Sequence, residues 1–116
     1  MNLMNLKKET LAFLKENGKT VKDIRWIGSK DITIPLDLFW KLADTEYNND
    51  FGSQKVARDL VVVGDDWWLE RAEYDGSEWW EFKTMPTKPS TEKEVASVIG
   101  GMWDTLEEID RLVREQ

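Results

Sequence analysis

The residues best suited to chemistry lie in "DDWWLERAEYDGSEWWEF", Asp65 to Phe82, where four of the chain's seven tryptophans form two adjacent pairs among carboxylates. Two kinds of chemistry fit such a stretch. Indoles with an arginine are the side chains that most often anchor a protein interface, and an acidic rim selects a basic partner. Alternatively, two carboxyl groups beside an aromatic platform could bind or hydrolyse a sugar.

Other chemistries are excluded by composition. The chain has no histidine, which removes the commonest general base, the Ser-His-Asp and Cys-His arrangements and histidine-ligated metals. It has no cysteine, so disulfides, thiolate nucleophiles and Cys-bound zinc are also out. Oxygen-only metal sites are the remaining possibility. Asp65-Asp66 is one candidate, and Asp44, Glu46, Asn48 and Asp50 in "DTEYNND" are another. The second fails as a calcium loop, because Asn49 stands where glycine is required and Lys55 where the bidentate glutamate belongs. Gly64 and Gly100-Gly101 match no phosphate-cradling pattern. No catalytic residue, metal or cofactor is expected.

In a strand, neighbouring side chains point to opposite faces, so each "WW" places one indole on either side of the sheet. Register decides their company. A two-residue turn at Asp75-Gly76 opposes Glu73 to Glu78 and Glu70 to Glu81, a like-charge penalty. A three-residue loop, Tyr74-Asp75-Gly76, avoids it by pairing Trp68 with Phe82, Glu70 with Trp80, Arg71 with Trp79 and Trp67 with Lys83, and is preferred here. One face then carries Trp68, Ala72, Trp80 and Phe82 toward a core. The other carries Trp67, Leu69, Arg71 and Trp79. Either helices cover both faces, or the second face is open and binds a partner through Trp67, Leu69, Arg71 and Trp79, rimmed by Asp65, Asp66 and Glu73.

The surrounding elements must position that hairpin. Leu3, Leu6, Leu11 and Phe13 or Leu14 predict a first helix over about 3–17, closed by Gly18 as a left-handed cap. "DIRWIG" and "DITI" predict a short hairpin around "GSKD". Pro35 opens a second helix, "PLDLFWKLADTEY", followed by a loop, "NNDFGSQ". The β-branched run in "ARDLVVVG" suits a central strand buried on both sides. After the Pro-containing connector "TMPTKPS", Thr91 and Glu94 form a capping-box pattern. It predicts a C-terminal helix from about 91, with Val95, Val98, Ile99, Met102, Leu106, Ile109 and Val113 on one stripe. Gly100 and Gly101 interrupt that stripe as a bend or a close helix approach, with the bend preferred. The stripe also offers a surface for self-association.

The fold expected is α+β: an antiparallel sheet of about five strands with a Trp-rich hairpin, packed by two to three helices, in a single domain over 1–116. Length supports one core, since chains of this size rarely divide. Apolar runs stop at about four residues, as in "LVVV", far short of a membrane span. With no signal-peptide pattern at the start, a cytoplasmic location is expected.

Net charge is −7. Acid concentrates between Pro35 and Met85, with twelve Asp/Glu against five Lys/Arg, whereas Met1 to Ile34 carries seven Lys/Arg against four Asp/Glu. That middle third repels nucleic-acid phosphates and anionic lipid, and attracts a basic protein. A neutral sugar is not repelled, which keeps a small carbohydrate-binding or carboxylate-dependent hydrolase domain as the alternative to a non-enzymatic protein-binding module.

The stretch "DLVVVGDDWWLERAEYDGSEWWEFKTMP", preceded by "GKTVKDIRWIG" and the "FWKLAD" helix, resembles a group of short phage and prophage proteins of Gram-positive bacteria, one with no assigned activity. The resemblance spans roughly residues 18–86. It implies a phage or mobile-element setting inside a bacterial cell and transfers no functional residue. By analogy, it points to a phage-encoded inhibitor or modulator of a host or phage protein.

Overall fold

The computed structural model describes residues 3–116 as an α+β fold. It forms two compact units, one ending at Met85 and a second, Pro86–Gln116.

In the first unit, helix α1 (Leu6–Glu16) starts where the Asn5 side chain accepts the Lys8 N–H. It ends at Gly18, whose φ of 71° is the left-handed conformation expected there. Ahead of it, strand β1 (Met4–Asn5) pairs with β4 (Glu46–Tyr47), a two-stranded ribbon with no signal in the hydropathy pattern. The main sheet is antiparallel with strand order β3-β2-β5-β6-β7, built from β2 (Trp26–Gly28), β3 (Thr33–Ile34), β5 (Val61–Val63), β6 (Trp67–Tyr74) and β7 (Ser77–Thr84). Helix α2 (Leu36–Ala43) follows Pro35, which sits at its N-cap.

The expected strands are therefore present, and β5 is central. It is not buried on both sides, however: Val62 is sealed while Val61 and Val63 are half-exposed. The row Ile27, Val62, Leu69 and Phe82 runs across four strands on the face that joins Leu6, Leu14, Phe39, Ala43, Trp67 and Trp80 in the core.

The hairpin adopts the two-residue register that like-charge repulsion was expected to disfavour, not the preferred three-residue loop. Asp75 and Gly76 both have positive φ, 50° and 89°, which is the two-residue turn whose twist matches that of its strands. Glu70 consequently opposes Glu81 and Glu73 opposes Glu78. Lys83 offsets the first pair, with Nζ 3.8 Å from Glu70 and 3.6 Å from Glu81. Arg71 offsets the second by binding Glu78 at 2.8 Å, while Glu73 remains in solvent. The turn geometry prevails because diagonal cations neutralise what direct pairing opposes.

In the second unit the helix expected from about 91 does not begin there. Helix α3 spans only Leu106–Arg114, with Thr105 as its N-cap. The capping pattern at Thr91 is followed by eight residues, three of them β-branched, before Gly100-Gly101, a sequence of weak helix propensity. The Ala96 N–H is instead taken at 2.8 Å by Asp110, a buried carboxylate that also holds Arg114 at 2.7 Å and Lys93 at 3.1 Å. Gly100 lies outside the helix and serves close approach: a Cβ there would meet Ile109 Cγ1 at 2.5 Å. Val98, Ile99 and Met102, placed on the helical stripe by periodicity, are exposed, as is Trp103.

The Ala96 N–H, opposed by burial and then aided by Lys93 and Arg114, lowers the Asp110 carboxyl from its ordinary 3.8 to about 2. A depressed carboxylate stabilises fully above its unfolded pKa and loses that contribution as acid is added. The strap between Ala96 and α3 is therefore expected to hold above about pH 4 and to open as pH falls toward about 2. Asp110→Asn should open it at neutral pH. Amide exchange at Ala96 checks both outcomes, and protection unchanged by either would contradict them.

Candidate functional site

Arg71 on β6 organises the hairpin's inner face. Its side chain is fully buried, and its guanidinium donates to Glu78 Oε1 at 2.8 Å, to Glu9 Oε2 at 3.1 Å and to the Tyr47 hydroxyl at 3.0 Å. Tyr47 in turn donates to Glu9 Oε1. Glu78 accepts two further backbone N–H groups, from Lys55 at 2.6 Å and Val56 at 3.2 Å. The Arg71 guanidinium lies over the Trp80 ring at 4.7 Å, and Trp80 Nε1 donates to Thr10, which donates to the Leu6 carbonyl.

Burial opposes the charge on Arg71, but Glu78, Glu9 and Tyr47 together outweigh it and raise the pKa above its ordinary value. Burial, with the bond to Glu9, pushes the Tyr47 phenol well above the usual range against the opposing pull of Arg71. Arg71 thus keeps its charge and Tyr47 its phenolic proton through neutrality.

This placement corrects the expected docking face. Trp67, Leu69 and Arg71 lie in the core, with Trp67 stacked on Phe82 at 5.8 Å and Leu69 inaccessible. The physical cause is register: with the two-residue turn, Trp67, Leu69 and Arg71 share a face with Trp80 and Phe82, not with Trp79. Trp68, expected inside, lies on the outer face and is half-exposed.

Of the expected anchors, Trp79 alone is exposed, at 40%. Asp66 and Glu73 are exposed, and Asp65 is held by Arg25 in a two-point surface ion pair at 2.8 and 2.9 Å. Reading the sequence missed Glu9, Tyr47 and Glu78. The available signal was Arg71 itself, a cation on the same strand face as Trp67 and Leu69 that needs carboxylates if those residues are buried.

The outer face of the sheet presents Trp26, Val63, Trp68 and Lys83 in one row, Val61, Glu70 and Glu81 in the next, then Ala72 with Trp79. All are partly or well exposed. Trp79 stands between two concavities. One, of about 620 Å³, is lined by Asn48, Asn49, Asp50, Phe51, Ser77 and Glu78. The other, of about 510 Å³, lies between α1 and β7 and is mostly apolar, with Ala12, Phe13 and Trp80 in its wall.

Neither protein-family models, nor curated proteins, nor solved structures match the chain. Among the described residues, no helix is long and apolar enough to cross a membrane.

Removing Arg71 strands the buried carboxylate of Glu78 and takes a partner from half-buried Glu9, a loss of about 3 to 5 kcal/mol for a buried pair broken on one side. Arg71→Met should lower unfolding free energy by about that amount in urea titration. Arg71→Met with Glu78→Gln should cost less than the sum of the single changes, and strict additivity would refute the coupling.

Proposed function

We propose that this chain is a non-enzymatic protein-binding module that engages a basic partner through the outer face of its sheet. The observation that supports it is Trp79, exposed on the same face as Trp68 and Trp26, with the carboxylates of Glu70 and Glu81 in the row between them. Such a face offers aromatic area at low entropic cost, with carboxylates to steer a cationic surface toward it. The resemblance to phage and prophage proteins favours action inside a bacterial cell, as an inhibitor or modulator of a host or phage protein.

Carbohydrate binding is the second reading, favoured by the cleft where Trp79 and Phe51 meet Asn48, Asn49 and Asp50. Hydrolysis there is disfavoured. Both Glu78 oxygens are committed to Arg71, Lys55 and Val56, and Asp50 already accepts the Ser77 hydroxyl at 2.6 Å.

Affinity capture from bacterial lysate tests the first reading. The wild-type chain should retain a specific protein at low salt. Trp79→Ala should weaken that retention about 30-fold, as for an anchor worth about 2 kcal/mol, while leaving the fold intact. Equal capture by both chains, or by neither, contradicts the proposal. Quenching of tryptophan emission by neutral oligosaccharides, lost in Trp79→Ala, would favour the cleft instead.

A further inference from the structure

β7 is an edge strand of eight residues. Proteins usually blunt such edges with proline, bulges or charge, because unpaired backbone groups template another strand. The Glu78 N–H points away from β6 and donates to the Asn49 carbonyl at 2.8 Å. By alternation, the N–H and C=O groups of Trp80, Phe82 and Thr84 point the same way. Among the described residues these have no backbone partner. The loop around Asn49 thus closes the start of the edge and leaves the stretch from Trp80 to Thr84 open, beside the apolar groove under α1.

We propose that this edge pairs with the same edge of a second copy, antiparallel about a two-fold axis through Phe82, joining two five-stranded sheets into one. The strand's own sequence, "WWEFKTM", selects that register. Centred on Phe82, Trp80 meets Thr84 of the other copy in hydrogen-bonded positions, and every open N–H and C=O is used. Glu81 then faces Lys83 of the other copy, and Lys83 faces its Glu81, so both non-hydrogen-bonded pairs are opposite charges.

Shifting the axis to Glu81 opposes two glutamates and requires the Glu78 edge position already taken by Asn49. Shifting it to Lys83 opposes two lysines. In the Phe82 register Trp79 also lies opposite the exposed Met85 of the other copy, so the aromatic outer face continues across the axis. The pairing is independent of the basic-partner reading and can hold whether or not that reading does.

Sedimentation equilibrium tests it, with circular dichroism as a check on folding. The wild-type chain should dimerise. Glu81→Lys should weaken the dimer about tenfold or more by opposing lysines, although within one copy it gives Glu70 an opposite charge. Lys83→Glu should weaken it too, and the combined swap Glu81→Lys with Lys83→Glu should restore it. Thr84→Pro removes an outward N–H without touching the β6 ladder, and should leave a folded monomer. A wild-type chain monomeric at millimolar concentration overturns the proposal. So does a dimer indifferent to these variants, which would place association elsewhere, as on the exposed apolar residues Val98, Ile99, Met102 and Trp103.

Discussion

A buried guanidinium is the constraint on which the rest of the first unit depends. Arg71 has no exposed side-chain surface, and a charge in that position is tolerated only with partners at hydrogen-bond distance. Those partners come from three places distant in sequence: Glu9 on α1, Tyr47 on β4, and Glu78 on β7. Glu78 in turn ties down the backbone at Lys55 and Val56, a stretch without regular structure. One cation therefore decides where the first helix, the small ribbon and the long loop meet the hairpin. An apolar side chain could fill the same volume, but it would specify none of these attachments.

The network also explains how a chain rich in tryptophan divides its indoles between core and surface. Trp80 is drawn inward by the Arg71 cation over its ring and by the Thr10 hydroxyl at its nitrogen. Its neighbour Trp79 must then face outward, since adjacent residues of a strand cannot share a side. The exposure of Trp79 is the geometric counterpart of a well-satisfied Trp80. The binding role we propose for Trp79 draws on this exposure.

Much of this architecture was legible before any coordinates. Alternation located the sheet strands, the β-branched run placed β5 at the centre, and Gly18 marked the end of α1. The hairpin's faces were misread for one reason: direct like-charge opposition was weighed above the twist preference of Asp-Gly. Lys83 and Arg71, one step away on the diagonal, supply what that comparison left out. The C-terminal helix was overextended because periodicity reports spacing, and it is silent on the competing claim of Asp110 to the Ala96 N–H. The β1-β4 ribbon, two residues per strand, is too short for any pattern to register.

The Asp75-Gly76 turn has a consequence for how this hairpin can change over generations. Because sidedness repeats every two residues, gaining or losing a single codon within β6 or β7, unless a bulge absorbs it, would send residues beyond it to the wrong side and separate the Arg71 guanidinium from the Glu78 carboxylate. Length can drift in this segment only by paired steps, at a bulge or beyond its ends, even where individual residues on the outer side are free to vary.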